Sequence, residues 1–113
     1  MSEWTINDPK EKIVFTVIDP TGVMVYLYKE QWDHIKNRHR EIKPLNKVQS
    51  AVKNPDIIQS EEESNARIYS VRSSTKSYLN VFAGIISETE CKIRTAFIRD
   101  LPEGDCIWLR QKK

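Results

Sequence analysis

A chain of 113 residues and 13.3 kDa fits one compact domain, with core enough to need no metal or disulfide staple. Hydrophobic residues make up 39% and charged residues 30%, with 3 glycines and 5 prolines, which excludes collagen-like, low-complexity and disordered classes. The net charge of +2 hides an uneven layout: 7 basic and 3 acidic side chains in 29–53, 4 acids and no base in 54–65, then 9 basic and 5 acidic in 66–113.

In chain order, the N-terminus Met1-Ser2-Glu3-Trp4 is polar and acidic, unlike a secretion signal. Ile13 to Ile18 is a β-branched run closed by the turn Asp19-Pro20-Thr21-Gly22. Val23 to Leu27 follows, so the two runs predict a hairpin. Neither run approaches membrane-spanning length, and a cytoplasmic domain is expected. From Lys29 to Glu41 the period changes: Trp32, Ile35, His39 and Ile42 recur at steps of 3, 4 and 3, one stripe of an amphipathic helix. Pro44 suits the first turn of a second helix, with Leu45, Val48, Ala51 and Val52 as its buried stripe. Asn54-Pro55 ends it.

The rest reads as strands separated by polar turns: Asp56 to Ser60, Arg67 to Arg72, Tyr78 to Ile86, Cys91 to Ile98 and Cys106 to Leu109. The run Glu61-Glu62-Glu63 reads as a solvated loop tip. The expected fold is one α+β domain over 1–113 with its core in 12–109. An N-terminal hairpin and two helices would precede a four- to five-stranded antiparallel sheet. Cys91 and Cys106 lack C-x-x-C spacing and are expected as reduced thiols.

The densest reactive cluster lies on the first helix. His34, Arg38 and Glu41 are spaced to share one face, and His39 sits about 100° from Arg38, at the edge of the apolar stripe. Imidazole titrates near neutrality, the range general acid–base work requires. His39 also fits a core-edge histidine, and His34 an ordinary exposed one. No H-E-x-x-H spacing or paired carboxylates occur, and Arg38 and Arg40 would repel a cation, so no metal is expected. No phosphate-cradling glycine loop, G-x-S-x-G elbow or dinucleotide fingerprint is present, so no cofactor is expected either.

Later strands supply Arg67, Tyr69, Arg72, Lys76 and Arg94 as candidate substrate-binding groups. Thr95 is a hydroxyl that can donate to a phosphoryl oxygen, although threonine is also simply a good strand former. Alternation places Arg67 and Tyr69 on one strand face and Arg72 on the other. Thr95 is expected on one face with Ile93 and Phe97. These residues suit metal-free RNA cleavage, in which the ribose 2′-hydroxyl is the nucleophile and the protein supplies acid–base and electrostatic groups.

Three segments carry a resemblance. Trp32-Asp33-His34-Ile35-Lys36-Asn37-Arg38-His39-Arg40-Glu41 is similar to a W-x-H-I-x-x-R-H-P-E helix, with Arg40 where proline is common. Val52-Lys53-Asn54-Pro55-Asp56-Ile57-Ile58 is similar to a helix-ending N-P-D-x-I segment. Arg94-Thr95-Ala96-Phe97 and Gly104-Asp105-Cys106-Ile107-Trp108 are similar to a closing T-A-y/f strand and a G-D-x-I-W tail. Over 28–109 the chain thus resembles the small phage- and mobile-element-associated members of the barnase–EndoU–colicin–RelE-like nuclease superfamily. The resemblance implies helices before a four- or five-stranded antiparallel sheet, and a metal-independent endoribonuclease, often a toxin or effector. Site residues implied are His34, Arg38 and His39 on the helix and Thr95 on the late strand, with Arg67 and Tyr69 added. RNA is the expected partner, and the sequence leaves open whether a protein inhibitor accompanies it. The rival expectation is a non-catalytic module that holds RNA or protein through Trp4, Trp108 and the cationic zones.

Overall fold

Asp19 organises the first turn. Its carboxylate accepts hydrogen bonds from the Thr21 and Val23 amides (2.8 and 3.0 Å) and the Thr21 hydroxyl (2.7 Å), while Gly22 takes φ +93°, a value natural to glycine. That turn joins Ile13–Ile18 (β1) to Met24–Tyr28 (β2). The computed structural model describes residues 12–39, 42 and 44–111. Beyond β2 come helices Lys29–Arg38 (α1) and Leu45–Lys53 (α2), and strands Ile57–Glu61 (β3), Ala66–Arg72 (β4), Tyr78–Ser87 (β5), Glu90–Arg99 (β6) and Asp105–Leu109 (β7). Among the described residues no helix is long and apolar enough to cross a membrane.

The expected four- to five-stranded antiparallel sheet is corrected. Among the described residues seven strands join one mixed sheet in the order β1-β2-β6-β5-β4-β3-β7, and two helices accompany them, so the fold is mostly sheet. The hairpin is no separate N-terminal unit: Met24–Tyr26 pairs in parallel with Glu90–Lys92, while the remaining ladders are antiparallel. Segments this far apart in sequence give no local signal of their pairing.

Both helices cover one face of the sheet. Trp32 and Ile35 of α1, Val48, Ala51 and Val52 of α2, and Ile42 between them pack on Phe15, Val17, Val25, Leu27, Val81, Ile93 and Ala96. At about 1.5–3 kcal/mol per fully buried large side chain, this burial is the main force holding the layers together. α1 ends at Arg38, short of the stripe that the sequence carries through His39 to Ile42. His39 is its C-cap, at φ −129° and ψ 77°, and lies off the helix rather than on it. Glu41 and Arg40 lie outside the described residues, as does Trp4.

Among the described residues no helix lies on the other face, which the chain itself crosses instead. From β6 to β7 the chain must pass β5, β4 and β3, four inter-strand spacings or about 19 Å, in six residue steps of about 3.4 Å. The connection 100–104 is therefore drawn out over the open face as a strap. Buried polar side chains hold it. Asn80 Nδ2 donates to the carbonyls of Asp100 (3.3 Å) and Arg99 (3.5 Å), and Ser70 Oγ donates to Asn80 Oδ1 at 2.6 Å. Gln59 Nε2 donates to the carbonyls of Pro102 (3.0 Å) and Gly104 (3.3 Å). A Cβ at residue 104 would stand 3.0 Å from the Ser60 carbonyl oxygen, so glycine lets the strap sit this close.

Candidate functional site

A β-bulge builds the site. Phe82 pairs with Thr95 but Ala83 pairs with Ile93, leaving Arg94 as the extra residue of β6. The bulge shows in burial too: Ile93 and Ala96, three apart, both lie wholly in the core. Strict alternation would send one of them outward, so Arg94 and Thr95 are both displaced to the open face. Such a bulge re-aims side chains where a ladder is interrupted. Thr95 therefore shares its face with Phe97 and not with Ile93, correcting the expected alternation.

Helix α1 lies beside this stretch, because β2 pairs with β6 only as far as Lys92 and leaves the rest of that strand's edge open. Gln31 Nε2 fills part of the gap by donating to the Arg94 carbonyl. The result is an open depression of about 310 Å³ lined by Gln31, His34, Ile35, Arg38, Arg94 and Thr95. His34 and Arg38, one helical turn apart, are exposed above it. The guanidinium of Arg94 reaches across the face, where Nη1 donates to the Ser64 carbonyl at 2.8 Å. Among the described residues no hydrogen bond or ion pair engages the side chains of His34, Arg38 or Thr95.

A second depression of about 520 Å³ lies further along the same face, lined by Phe82, Phe97, Arg99, Asp100 and Pro102. The Phe82 and Phe97 rings stack at 5.2 Å with 29° between their planes. His39 belongs to this neighbourhood: its ring stands 5.9 Å from that of Phe97. Sequence reasoning missed Phe82 and Phe97, which read as strand formers. Phe97 entered only as the end of the T-A-y/f segment; the signal common to both rings is that they share the alternate positions of Asn80 and Thr95, off the core face.

Arg67 and Tyr69 are not brought to this site. They lie on the helix-covered face, where the Tyr69 hydroxyl donates to Asp19 Oδ2 at 2.6 Å. Arg67 bonds the same oxygen at 3.1 Å, Thr21 Oγ1 at 2.8 Å and the Tyr69 hydroxyl at 3.2 Å. Burial alone would raise the Asp19 carboxyl, but the bonds from Tyr69, Val23 and Thr21 outweigh it and hold the group below the usual aspartate range. Burial and then the adjacent carboxylate push the Tyr69 phenol up. For Arg67, burial works against the charge, yet Tyr69 and Asp19 prevail and strengthen it. The cluster is a closed polar knot that ties β4 to the first turn.

Arg72 lies on the open face beyond the strap, 5.2 Å above the Tyr78 ring, in a depression of about 730 Å³ that Ile57, Leu101 and Leu109 also line. Lys76 is exposed in the β4–β5 turn. Of the nine residues singled out from sequence, His34, Arg38, Arg94 and Thr95 thus converge, with His39 close by. Cys91 is buried and Cys106 exposed, both as free thiols; burial raises the Cys91 thiol. Among the described residues no group of three or more His, Cys, Asp or Glu side chains is placed to hold a metal ion. Neither a family model, nor a curated protein, nor a solved structure matches this chain.

Proposed function

We propose that this chain is a metal-independent endoribonuclease of the kind its motifs resemble, acting on cytoplasmic RNA as a toxin or effector with a cognate protein inhibitor. One observation carries the reading: His34, Arg38, Arg94 and Thr95 line a single open depression. Arg38 and Arg94 are the groups that neutralise the non-bridging oxygens of a phosphodiester, and Thr95 Oγ donates to one of them. His34 takes the proton from the ribose 2′-hydroxyl, whose oxygen bonds to phosphorus as the bond from phosphorus to the 5′-oxygen breaks. The products are a 2′,3′-cyclic phosphate and a 5′-hydroxyl, the latter protonated by a second acid, for which His39 is the nearest further imidazole. RNA brings its own nucleophile, so the reaction needs no metal-activated water.

The test is incubation of purified protein with mixed RNA in chelator. Cleavage yielding cyclic-phosphate ends, and its loss in folded His34→Ala and Arg38→Ala variants, supports the reading; RNA left intact by the wild type overturns it. A second reading, a non-catalytic RNA-binding module on this scaffold, is favoured by one feature. Among the described residues no hydrogen bond orients the His34 ring, whereas catalytic imidazoles are commonly oriented by a neighbour. It predicts salt-sensitive retention on RNA without turnover.

A further inference from the structure

We infer that the stacked Phe82 and Phe97 rings are the floor of a nucleobase subsite beside the phosphate depression, so that this chain takes RNA as an unpaired strand. The inference rests on the RNA reading above and adds to it a ligand conformation and two residues. Phe82 is the cross-strand partner of Thr95, and Phe97 follows Thr95 by two residues on the same strand face, about 7 Å along. A phosphate held at Thr95 therefore has its own flanking base beside the two rings.

Chemistry supports a base over other flat or apolar ligands. Both rings are only partly buried, on a sheet face that no helix covers among the described residues. Arg99 stands 6.0 Å from the Phe97 centroid and Pro102 of the strap walls the far side. Among the described residues lining the two depressions the cations are Arg38, Arg94 and Arg99, and the only acid is Asp100. A cationic surface with stacking rings set into it is the arrangement that holds single strands with little regard to base identity, since every base has a π-face. Paired bases are already stacked on their neighbours and expose only their edges, so a phenyl floor cannot reach their faces.

The experiment measures fluorescence anisotropy of the full chain with a short fluorescein-labelled 2′-O-methyl oligouridylate, which lacks the free 2′-hydroxyl and is bound without being cut. An abasic strand of the same length and a blunt RNA duplex serve as comparisons. Wild type is expected to bind the oligouridylate about tenfold more tightly than the abasic strand, and Phe97→Leu, which keeps an apolar side chain on the strand, to lose that preference. Equal binding of the abasic strand by wild type, a Phe97→Leu variant that keeps the full preference, preferential duplex binding, or no RNA binding at all each overturns the subsite. Should RNA be bound with this preference yet never cleaved when its 2′-hydroxyls are free, the catalytic reading fails and the subsite stands. Should RNA be cleaved while Phe97→Leu leaves the preference unchanged, the subsite fails alone.

Discussion

The Arg94 guanidinium packs directly over Gly84: a Cβ at residue 84 would fall 2.5 Å from Arg94 Nε and 2.8 Å from Nη2. Gly84 is buried in β5 opposite Ala66 and Lys92, so the missing side chain is what lets the cation lie against the sheet and reach Ser64. Gly84→Ala is expected to separate stability from function. Alanine suits a strand interior better than glycine by roughly 0.5–1 kcal/mol, and the displaced group is the end of a flexible, exposed side chain. The melting temperature should stay level or rise, while RNA cleavage falls about tenfold as Arg94 is pushed off its position. Thermal unfolding and initial cleavage rates on one preparation check both signs.

Much of this architecture was legible locally and little of it was legible globally. The strand Ile13–Ile18 and the helix Leu45–Lys53 follow directly from residue type, turn chemistry and a proline boundary. What local pattern cannot carry is pairing: nothing in Met24–Tyr26 or Glu90–Lys92 announces a parallel ladder, and without it the sheet reads as smaller and wholly antiparallel. The bulge at Arg94 is similarly hidden, because a single inserted residue looks like ordinary alternation until its partners are known. Arg67 and Tyr69 looked like substrate ligands because their anchor, Asp19, sits 50 residues from Tyr69 in sequence. Asn80 did carry a signal. An amide within the apolar run 78–86 must find partners once buried, and it finds the strap.

Thr95→Val should leave the fold unchanged and damage only chemistry. Valine has the shape of threonine and favours strands equally, and the threonine hydroxyl makes no hydrogen bond among the described residues. If Thr95 donates to the phosphoryl oxygen as proposed, loss of that donor should lower kcat by about tenfold to a hundredfold with little change in KM, since such donors act chiefly on the transition state. Thr95→Ser should recover most of the rate. Steady-state kinetics of the three proteins on one oligoribonucleotide decide it.

The Asp19 knot predicts an acid-sensitive, activity-neutral element. Asp19 and Arg67 have side chains 0% and 15% exposed, and removing one partner of a buried pair costs about 3–5 kcal/mol because the other charge is left uncompensated. Asp19→Asn should therefore lower the melting temperature by roughly 10–15 °C at neutral pH. The native carboxyl lies below its unfolded value of about 3.9, so the unfolded chain binds the proton first. The contribution of Asp19 is complete above that value and disappears as pH falls through the lower, folded one. Wild-type stability should decline across this acidic window and that of Asp19→Asn should decline less, as urea unfolding at stepped pH will show. Tyr69→Phe, which removes only the hydroxyl, should cost about 1–2 kcal/mol and leave RNA cleavage unchanged in the folded protein.

The strap makes the last prediction, because it closes the wall of the second depression while depending on buried groups outside it. Asn80 is fully buried, and its amide ties Ser70 in β4 to the carbonyls of Arg99 and Asp100. Replacing it with alanine removes those bonds and leaves the Ser70 hydroxyl and the carbonyls of Arg99, at the end of β6, and Asp100, in the strap, without that partner, a loss of about 1–3 kcal/mol for the first buried group left unsatisfied. Asn80→Ala is therefore expected to destabilise the chain by roughly 2–3 kcal/mol in urea unfolding. It should also raise amide exchange across 100–104 before the central strands open, since among the described side chains Gln59 is then the one still bonded to the strap. Protection of Asp100 and Leu101 equal to wild type would show that extension of the chain, and not Asn80, keeps the strap on the sheet.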